Sequence, residues 1–317
     1  MPNPLAKILK PRWPSAAVGL TGEVAAVVAL DRRRDTFVVR RAGYVPLPAG
    51  LLRPAFEESN VADVGELAET LGELVRSTGL QKRRRWSVAL PEAATRTTIL
   101  TMETSAGSRG ELEEMVRWKT ERAFGHALEE LRIARERLRP DAQGRARYLT
   151  TAVRLTVLAE YEAAFALLGW HAGLILPRHA GEAWWLMRGS PPADSLLVSG
   201  HAEGFTAVLL RAGQPLLVRT IACDPEDRAD ELYRFLLFYR DRVAASADEG
   251  GAAERLDQLL VAGRGLEPEA TRTLVAETLD AAPRLVSAAD LRLTLPSGDL
   301  DFKFIAAPAG LAALAWA

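Results

Sequence analysis

The stretch that decides the fold runs from Trp86 to Leu138 and reads WSVALPEAATRTTILTMETSAGSRGELEEMVRWKTERAFGHALEELRIARERL. It opens on a short apolar strand, Val88 to Leu90, which stops at Pro91 because proline brings no N–H to a sheet ladder. The β-branched run at Thr97, Thr98 and Ile99 predicts a further strand. Ser108 and Glu111 then stand at capping-box spacing, which predicts the start of a charged helix.

Working outward, Ala16–Leu30 and Leu196–Leu210 are both apolar, β-prone runs interrupted by glycine and followed by a polar turn. The first turn, Asp31–Asp35, leads into Thr36–Arg41, and the second, Arg211–Gln214, leads into Pro215–Ile221. A strand–turn–strand unit that occurs twice, about 180 residues apart, implies an internal duplication. Helices follow each unit. Val64, Leu67, Ala68, Leu71, Leu74 and Val75 recur at helical spacing before Gly79. Asp224 and Pro225 supply a cap and a first-turn proline for a helix whose apolar face is Leu232, Phe235, Leu236, Tyr239 and Val243. Ala244–Gly251 reads as a loop, Leu259–Gly265 as a strand and turn, and Pro268–Leu279 as a helix. Tyr148–Leu155 reads as a strand, Glu160–Leu168 as a helix, and Ser190–Asp194 as a linker. Strands alternating with helices make this an α/β protein with mixed sheets.

A chain of 317 residues is long enough for two domains with cores of their own. Hydrophobic residues at 48% and charged residues at 26% are ordinary for a globular protein. The formal net charge of -1 gives no general pull toward nucleic acid or anionic lipid. The single cysteine, Cys223, rules out an internal disulfide framework and suits a reducing compartment. Lys7, Lys10 and Arg12 are not followed by the apolar run of a signal peptide, and no stretch approaches the roughly 18 to 20 apolar residues of a membrane span. Phe304–Ala317 is short and alanine-rich, which predicts a buried terminal helix. The expectation is a cytoplasmic protein whose membrane association runs through a partner.

The Trp86–Leu138 succession resembles the inserted small subdomain of PilM-like proteins, the actin-like cytoplasmic components of type IV pilus assembly. The matching residues are the strand end Leu90-Pro91, Glu113 to Trp118 on the helix, and Leu128 to Arg132 after it. The likeness extends in collinear order from Val18 to about Trp316, closing on the alanine-rich Ala306–Ala315. It implies an actin-like (ribonuclease H-like) two-domain duplication with an inserted small α+β subdomain. Domain I then spans 1–187 with the insert at about 86–158. Domain II spans 188–317, with its terminal helix packing back.

Actin-like ATPases hold phosphates between two glycine-bearing hairpins, with an aspartate in each to orient Mg²⁺ or water. Where PilM-like sequences have Gly-Leu-Asp-Ile-Gly-Ser, this chain has Gly19-Leu20-Thr21-Gly22-Glu23. Thr21 replaces the aspartate, and Glu23 brings negative charge to where a phosphate belongs. In the second hairpin Ser199 stands for the aspartate, followed by Gly200, with His201 in place of a glycine. The adenosine-side turn survives as Gly263-Arg264-Gly265, with an arginine in place of a glycine. By comparison with the family, roughly 60 residues of an outer subdomain are missing between Ile221 and Asp224. The remnants Gly19, Thr21, Gly22, Ser199, Gly200, Gly263 and Gly265 therefore predict a pseudo-ATPase with no catalytic residue and no ATP, Mg²⁺ or other cofactor.

The resemblance also implies a partner. In PilM-like proteins a short N-terminal segment of a membrane-anchored PilN-like protein docks between the main domain and the inserted subdomain. The residues expected to line that groove are Val88, Leu90, Ile99, Met102, Met115, Trp118, Arg122 and Phe124. Packing of the subdomain's own sheet is the alternative for the apolar ones. The other residues read plainly: the four histidines, at 126, 171, 179 and 201, lack metal-ligand spacing, Cys223 reads as an inert thiol, and Lys82–Arg85 as a solvated turn. Of Trp184 and Trp185, one belongs to the core. The expected function is a scaffold in a type IV pilus or type II secretion-like machine, with no nucleic acid and with self-association left open. The rivals are an actin-fold ATPase or sugar-kinase-like enzyme, and a cytoplasmic domain resembling the secretion protein GspL.

Overall fold

The computed structural model describes residues 13–102, 108–188, 193–244, 256–296 and 300–317. Lys7, Lys10, Arg12, most of the expected linker and most of the Ala244–Gly251 loop lie outside the described residues.

The first hairpin unit is β1 (Ala16–Leu20), β2 (Val24–Arg33) and β3 (Thr36–Pro46), paired antiparallel. All five residues of β1 are buried, as a strand covered on both faces requires. Helix α1 (Val64–Ser77) starts where Asp63 accepts the Glu66 N–H and ends at Gly79, which has a left-handed φ of 72°. Strand β4 (Arg85–Leu90) then runs parallel to β1.

The insert is β5 (Arg96–Thr101), α2 (Arg109–Phe124), β6 (Leu131–Leu138) and β7 (Arg147–Arg154). Its three strands form a separate sheet in the order β5-β7-β6. The Ser108 hydroxyl caps α2 by accepting the Glu111 N–H at 3.2 Å, as its spacing predicts. Helix α3 (Leu155–Leu167), β8 (His171–Pro177) and α4 (Arg178–Met187) complete the first half. The second half is β9 (Asp194–His201), β10 (Gly204–Arg211), β11 (Gln214–Ala222), α5 (Arg228–Phe238), β12 (Leu256–Gly263), α6 (Pro268–Leu279) and β13 (Arg284–Leu285). The chain closes with β14 (Leu293–Thr294) and α7 (Phe302–Ala313).

The main sheets run β14-β3-β2-β1-β4-β8 and β11-β10-β9-β12-β13. Without the two-residue β14, both have the order third, second, first, fourth, fifth, which is the duplication that the paired hairpins imply.

Two boundaries differ from expectation. Strand β4 belongs to the main sheet, flanked by β1 and β8, and Trp86 to Leu90 are buried. The subdomain's own sheet therefore begins at Arg96, and Val157 and Leu158 of α3 join the main core. The C-terminal region is shared as well. Strand β14 pairs with β3 of the first sheet, and α7 is buried from Ile305 to Ala313. A helix apolar on all sides needs cover on all sides, and α7 finds it between the two sheets and α4.

The α4–α7 crossing is close because glycines face each other. A methyl group added at Gly310 would overlap the Gly181 carbonyl, and one at Gly181 would overlap the Ala307 carbonyl. Beside them the Trp185 indole donates to the Ala306 carbonyl at 2.9 Å. Trp185 is the core member of the tryptophan pair, while Trp184 is half-buried edge-on to Phe37. Replacing Gly181 or Gly310 with alanine forces backbone against backbone, so urea unfolding should show each variant less stable by about 3 kcal/mol. Gly110→Ala on α2, where an added methyl meets only the Ser108 hydroxyl at 4.0 Å, should leave stability unchanged or raise it slightly.

Candidate functional site

The tips of the two hairpins face each other across a cleft. In the first, Thr21 closes its own turn: its hydroxyl accepts the Glu23 and Val24 N–H groups at 3.2 and 2.8 Å and donates to the Val24 carbonyl at 3.1 Å. Backbone donors that would face a phosphate are thus spent inside the turn. Gly19 serves packing, since a side chain there would meet the Pro308 ring of α7 at 2.8 Å. Gly22 lies against Pro54.

On the opposite side Ser199 is fully buried in β9, with its hydroxyl beside the buried Glu182 carboxylate. Gly200 and Gly263 lie backbone on backbone, Gly263 with a φ of 74°, and the Arg264 N–H donates to the Gly200 carbonyl at 3.1 Å. The Arg228 guanidinium fills the space a side chain on Gly265 would take, and donates to the His201 and Ala202 carbonyls at 2.7 and 3.2 Å. Across the mouth, Arg264 Nη1 meets Glu23 Oε2 at 2.6 Å. What remains is a cavity of about 20 Å³, room for about one water. Gly19, Thr21, Gly22, Gly200 and Gly263 line it together, whereas Ser199 and Gly265 stand behind it.

Beneath the cleft lies a buried charge network that the sequence does not announce. Glu92, just past β4, accepts the His179 backbone N–H and its ring Nδ1–H, each at 2.6 Å. Thr206 of β10 donates to the same carboxylate at 3.4 Å, so the group joins the two halves of the molecule. Burial opposes ionisation of Glu92, but the His179 charge and hydrogen bonds more than offset it and hold the carboxyl down at about 2. Burial likewise pulls His179 down while Glu92 raises it, and the net shift is upward. Arg178 pairs with the fully buried Glu182 at 3.0 Å, and burial pushes Glu182 up.

A second concavity, of about 430 Å³, lies between β8, the outer strand of the main sheet, and β6, the outer strand of the insert. Leu90, Ile133, Val153, Leu158, Leu174 and Ile175 make it apolar, and Arg132 and Glu162 stand at its side.

Of the residues expected to line a partner groove, only Leu90 borders this one. Val88 is fully buried within the main sheet. Met102 and Met115 pack with Leu100, Val116 and Tyr148 under α2, and Phe124 packs with Phe56, Leu131 and Ala152. Ile99 lines a different groove, between β5 and β11, where Arg147 donates to the Pro215 and Leu216 carbonyls at 3.2 and 3.1 Å. Trp118 is 56% exposed, with the Arg122 guanidinium 5.3 Å from its ring centre. Met102 and Met115 thus pack within the insert, while Phe124 packs where the insert meets Phe56 of the main domain. Ile133, Leu174 and Ile175 carry no signal of their own, because which strands end up outermost depends on the sheet order.

Cys223 is half-buried, and burial raises its thiol pKa. His126 pairs with Glu57 at 2.8 Å and His201 with Glu203 at 3.1 Å. Among the described residues no cluster of three metal-ligating side chains occurs. No helix among them is long and apolar enough to cross a membrane.

No protein-family model matches this sequence, and no curated protein matches it. A chain of the solved "PilM-PilN type IV pilus biogenesis complex" superposes with a TM-score of 0.72 at 18% identity, over 96% of this chain and 99% of that one. A Bacteroides thetaiotaomicron protein described as having an actin-like ATPase fold and unknown function gives a TM-score of 0.50 at 11% identity, over 94% and 96% of the two chains. The cytoplasmic domain of EpsL, an inner-membrane component of the type II secretion system of Vibrio cholerae, gives 0.46 at 14% identity, over 95% and 93%. The fold is therefore actin-like, a PilM-like form of it, as the collinear resemblance implies.

The Glu92–His179 pair sets a pH window. The Glu92 contribution is complete above its ordinary 4.5 and disappears as the pH falls through about 2. The His179 contribution is complete below its ordinary 6.5 and disappears as the pH rises through its raised value in the fold. Stability to urea should therefore be greatest between about 4.5 and 6.5 and decline on the alkaline side. His179→Gln leaves a buried carboxylate without its cation. It should cost about 3 to 5 kcal/mol at pH 5.5 and flatten the alkaline decline.

Proposed function

We propose that this chain is a non-catalytic cytoplasmic scaffold of a type IV pilus or related secretion machine. Its ligand is the cytoplasmic N-terminal segment of a PilN-like inner-membrane protein, held between β6 and β8. The observation that carries this reading is a contrast between two concavities. The cleft that would take a nucleotide is reduced to about 20 Å³ and crossed by the Glu23–Arg264 pair, while the groove beside the insert offers about 430 Å³ of apolar space.

Chemistry supports the same division. Thr21 and Ser199 cannot act as metal-bound carboxylates, and Glu23 is paired with Arg264 across the mouth of the cleft. The groove has what an extended apolar segment needs: side-chain pockets, and two outer strands that each have one edge without a ladder partner among the described residues. The name of the superposed PilM-PilN complex adds a reason to test a PilN-like segment first.

The rival reading, an ATPase or sugar-kinase-like enzyme, predicts nucleotide affinity. Titration with a fluorescent ATP analogue and Mg²⁺ should show no saturation below about millimolar concentration, and micromolar affinity would overturn the scaffold reading. In fluorescence anisotropy, the N-terminal peptide of a PilN-like protein should bind the full chain. Leu174→Glu or Ile133→Glu should weaken it roughly tenfold or more. Trp118→Ala should leave binding unchanged, and Met115→Glu should lower folding stability through the insert's core instead.

A further inference from the structure

The overall charge of -1 conceals a sharply basic end of the first sheet, on the side remote from the cleft. Register brings it together. Ala16 pairs with Ala29, and the Leu30 N–H donates to the Ser15 carbonyl, so Ser15 lies level with Leu30. On the other side Ala17 pairs with Ser87, which sets Ser15 level with Arg85. Arg32, Arg33 and Arg34 at the β2–β3 tip therefore project past the same line as Lys82, Arg83, Arg84 and Arg85. The two groups are two strand spacings apart, roughly 10 Å.

All seven side chains are exposed, and none of them forms an ion pair among the described residues. Against them stand Asp31, taken by Arg40 at 2.6 Å, and Asp35. Arg292 adds a further cation beside the hairpin, where its carbonyl accepts the Phe37 N–H at 2.9 Å. The partly buried Arg188 lies near as well: burial first, then the charges of Arg32 and Arg292, lowers its pKa.

An apolar residue sits at the same end. Leu167, the last residue of α3, is 66% exposed, the most exposed large apolar side chain among the described residues. The next carbonyl, that of Leu168, accepts a bond from Arg84 at 3.3 Å, and the His171 N–H donates to the Arg84 carbonyl at 2.7 Å. The surface also adjoins the apolar groove, since Gly173, which lines it, lies beside the Arg85 guanidinium.

We propose that this end of the first domain docks directly on an anionic bilayer, with Arg32–Arg34 and Lys82–Arg85 on lipid phosphates and Leu167 entering the headgroup layer. Each cation near an anionic leaflet adds attraction that decays within a Debye length, so seven at one end act together. The exposed leucine decides between the two kinds of polyphosphate surface. A lipid interface receives an apolar side chain, whereas single-stranded nucleic acid is bound in a groove with aromatic stacking platforms, and this end is a protruding hairpin tip and loop. The contact is made by the chain itself, in addition to any tether that a bound partner supplies.

Sedimentation with vesicles of phosphatidylglycerol and phosphatidylethanolamine tests this on the full chain with no partner peptide present. At about 50 mM salt the protein should pellet with these vesicles but not with phosphatidylcholine, and about 0.5 M salt should release it. The triple variant Arg32→Glu, Arg33→Glu, Arg34→Glu should lower partitioning on the order of a hundredfold with an unchanged melting temperature and unchanged groove-peptide binding. Leu167→Gln should lower it several-fold and keep the salt dependence. The proposal is overturned if the wild-type chain fails to pellet with anionic vesicles at low salt, or pellets equally with neutral ones. It is also overturned if duplex DNA at matched phosphate binds more tightly and Leu167→Gln changes nothing.

Discussion

The close crossing of α4 and α7 is the contact on which the rest of the molecule depends. Two helices whose backbones touch at Gly181 and Gly310 lie nearer than side chains normally allow, and so bring their sheets nearer as well. Helix α7 has a sheet on each side, which is why nothing from Ile305 to Ala313 is exposed to water. The same helix reaches the cleft through Pro308, which occupies the space beside Gly19. Helix α4 reaches it through its first turn, where Arg178, His179 and Glu182 are buried. The depth of the cleft is therefore set by the crossing beneath it.

Closure of the cleft then has two contributions of very different weight. The Glu92–His179–Thr206 group is buried and spans the two halves, so separating them exposes or strands charge. The Glu23–Arg264 pair is half exposed, and pairs of that kind add little to stability. Its importance is positional: two side chains of opposite sign neutralise each other at the mouth, and neither is left to attract a phosphate or a metal. Each departure from the family pattern reads alone as a loss, but together they form a complementary contact.

What the sequence makes legible is what near neighbours decide. Ser108 caps α2, Gly79 ends α1, and the two hairpin units predict two sheets of equal order, because each depends on residues a few positions apart. The substitutions at Thr21, Ser199, Glu23 and Arg264 are equally legible as departures. Their pairing is not, since Glu23 and Arg264 are 241 positions apart in the chain. Glu92 stands in no motif after Pro91, and only the fold brings it His179 from 87 positions away. How the expected groove residues pack escapes the sequence for a related reason. Met102 and Met115 look like anchors in an amphipathic unit, but a three-stranded sheet with one helix must use such residues for its own interior.

The parallel strands give the first domain two chemically distinct ends. At one, β1 leads into the turn against the second half, and that end is sealed by Thr21, Arg264 and the network below. At the other, the chain enters β4 and β8 and reverses between β2 and β3, and the arginines there are exposed among the described residues. The open groove runs along β8, with Leu90 and Ile175 deep in it and Gly173 beside Arg85. An apolar channel and a cationic surface thus meet on one side of the first domain. The second domain packs against the first through α4 and α7.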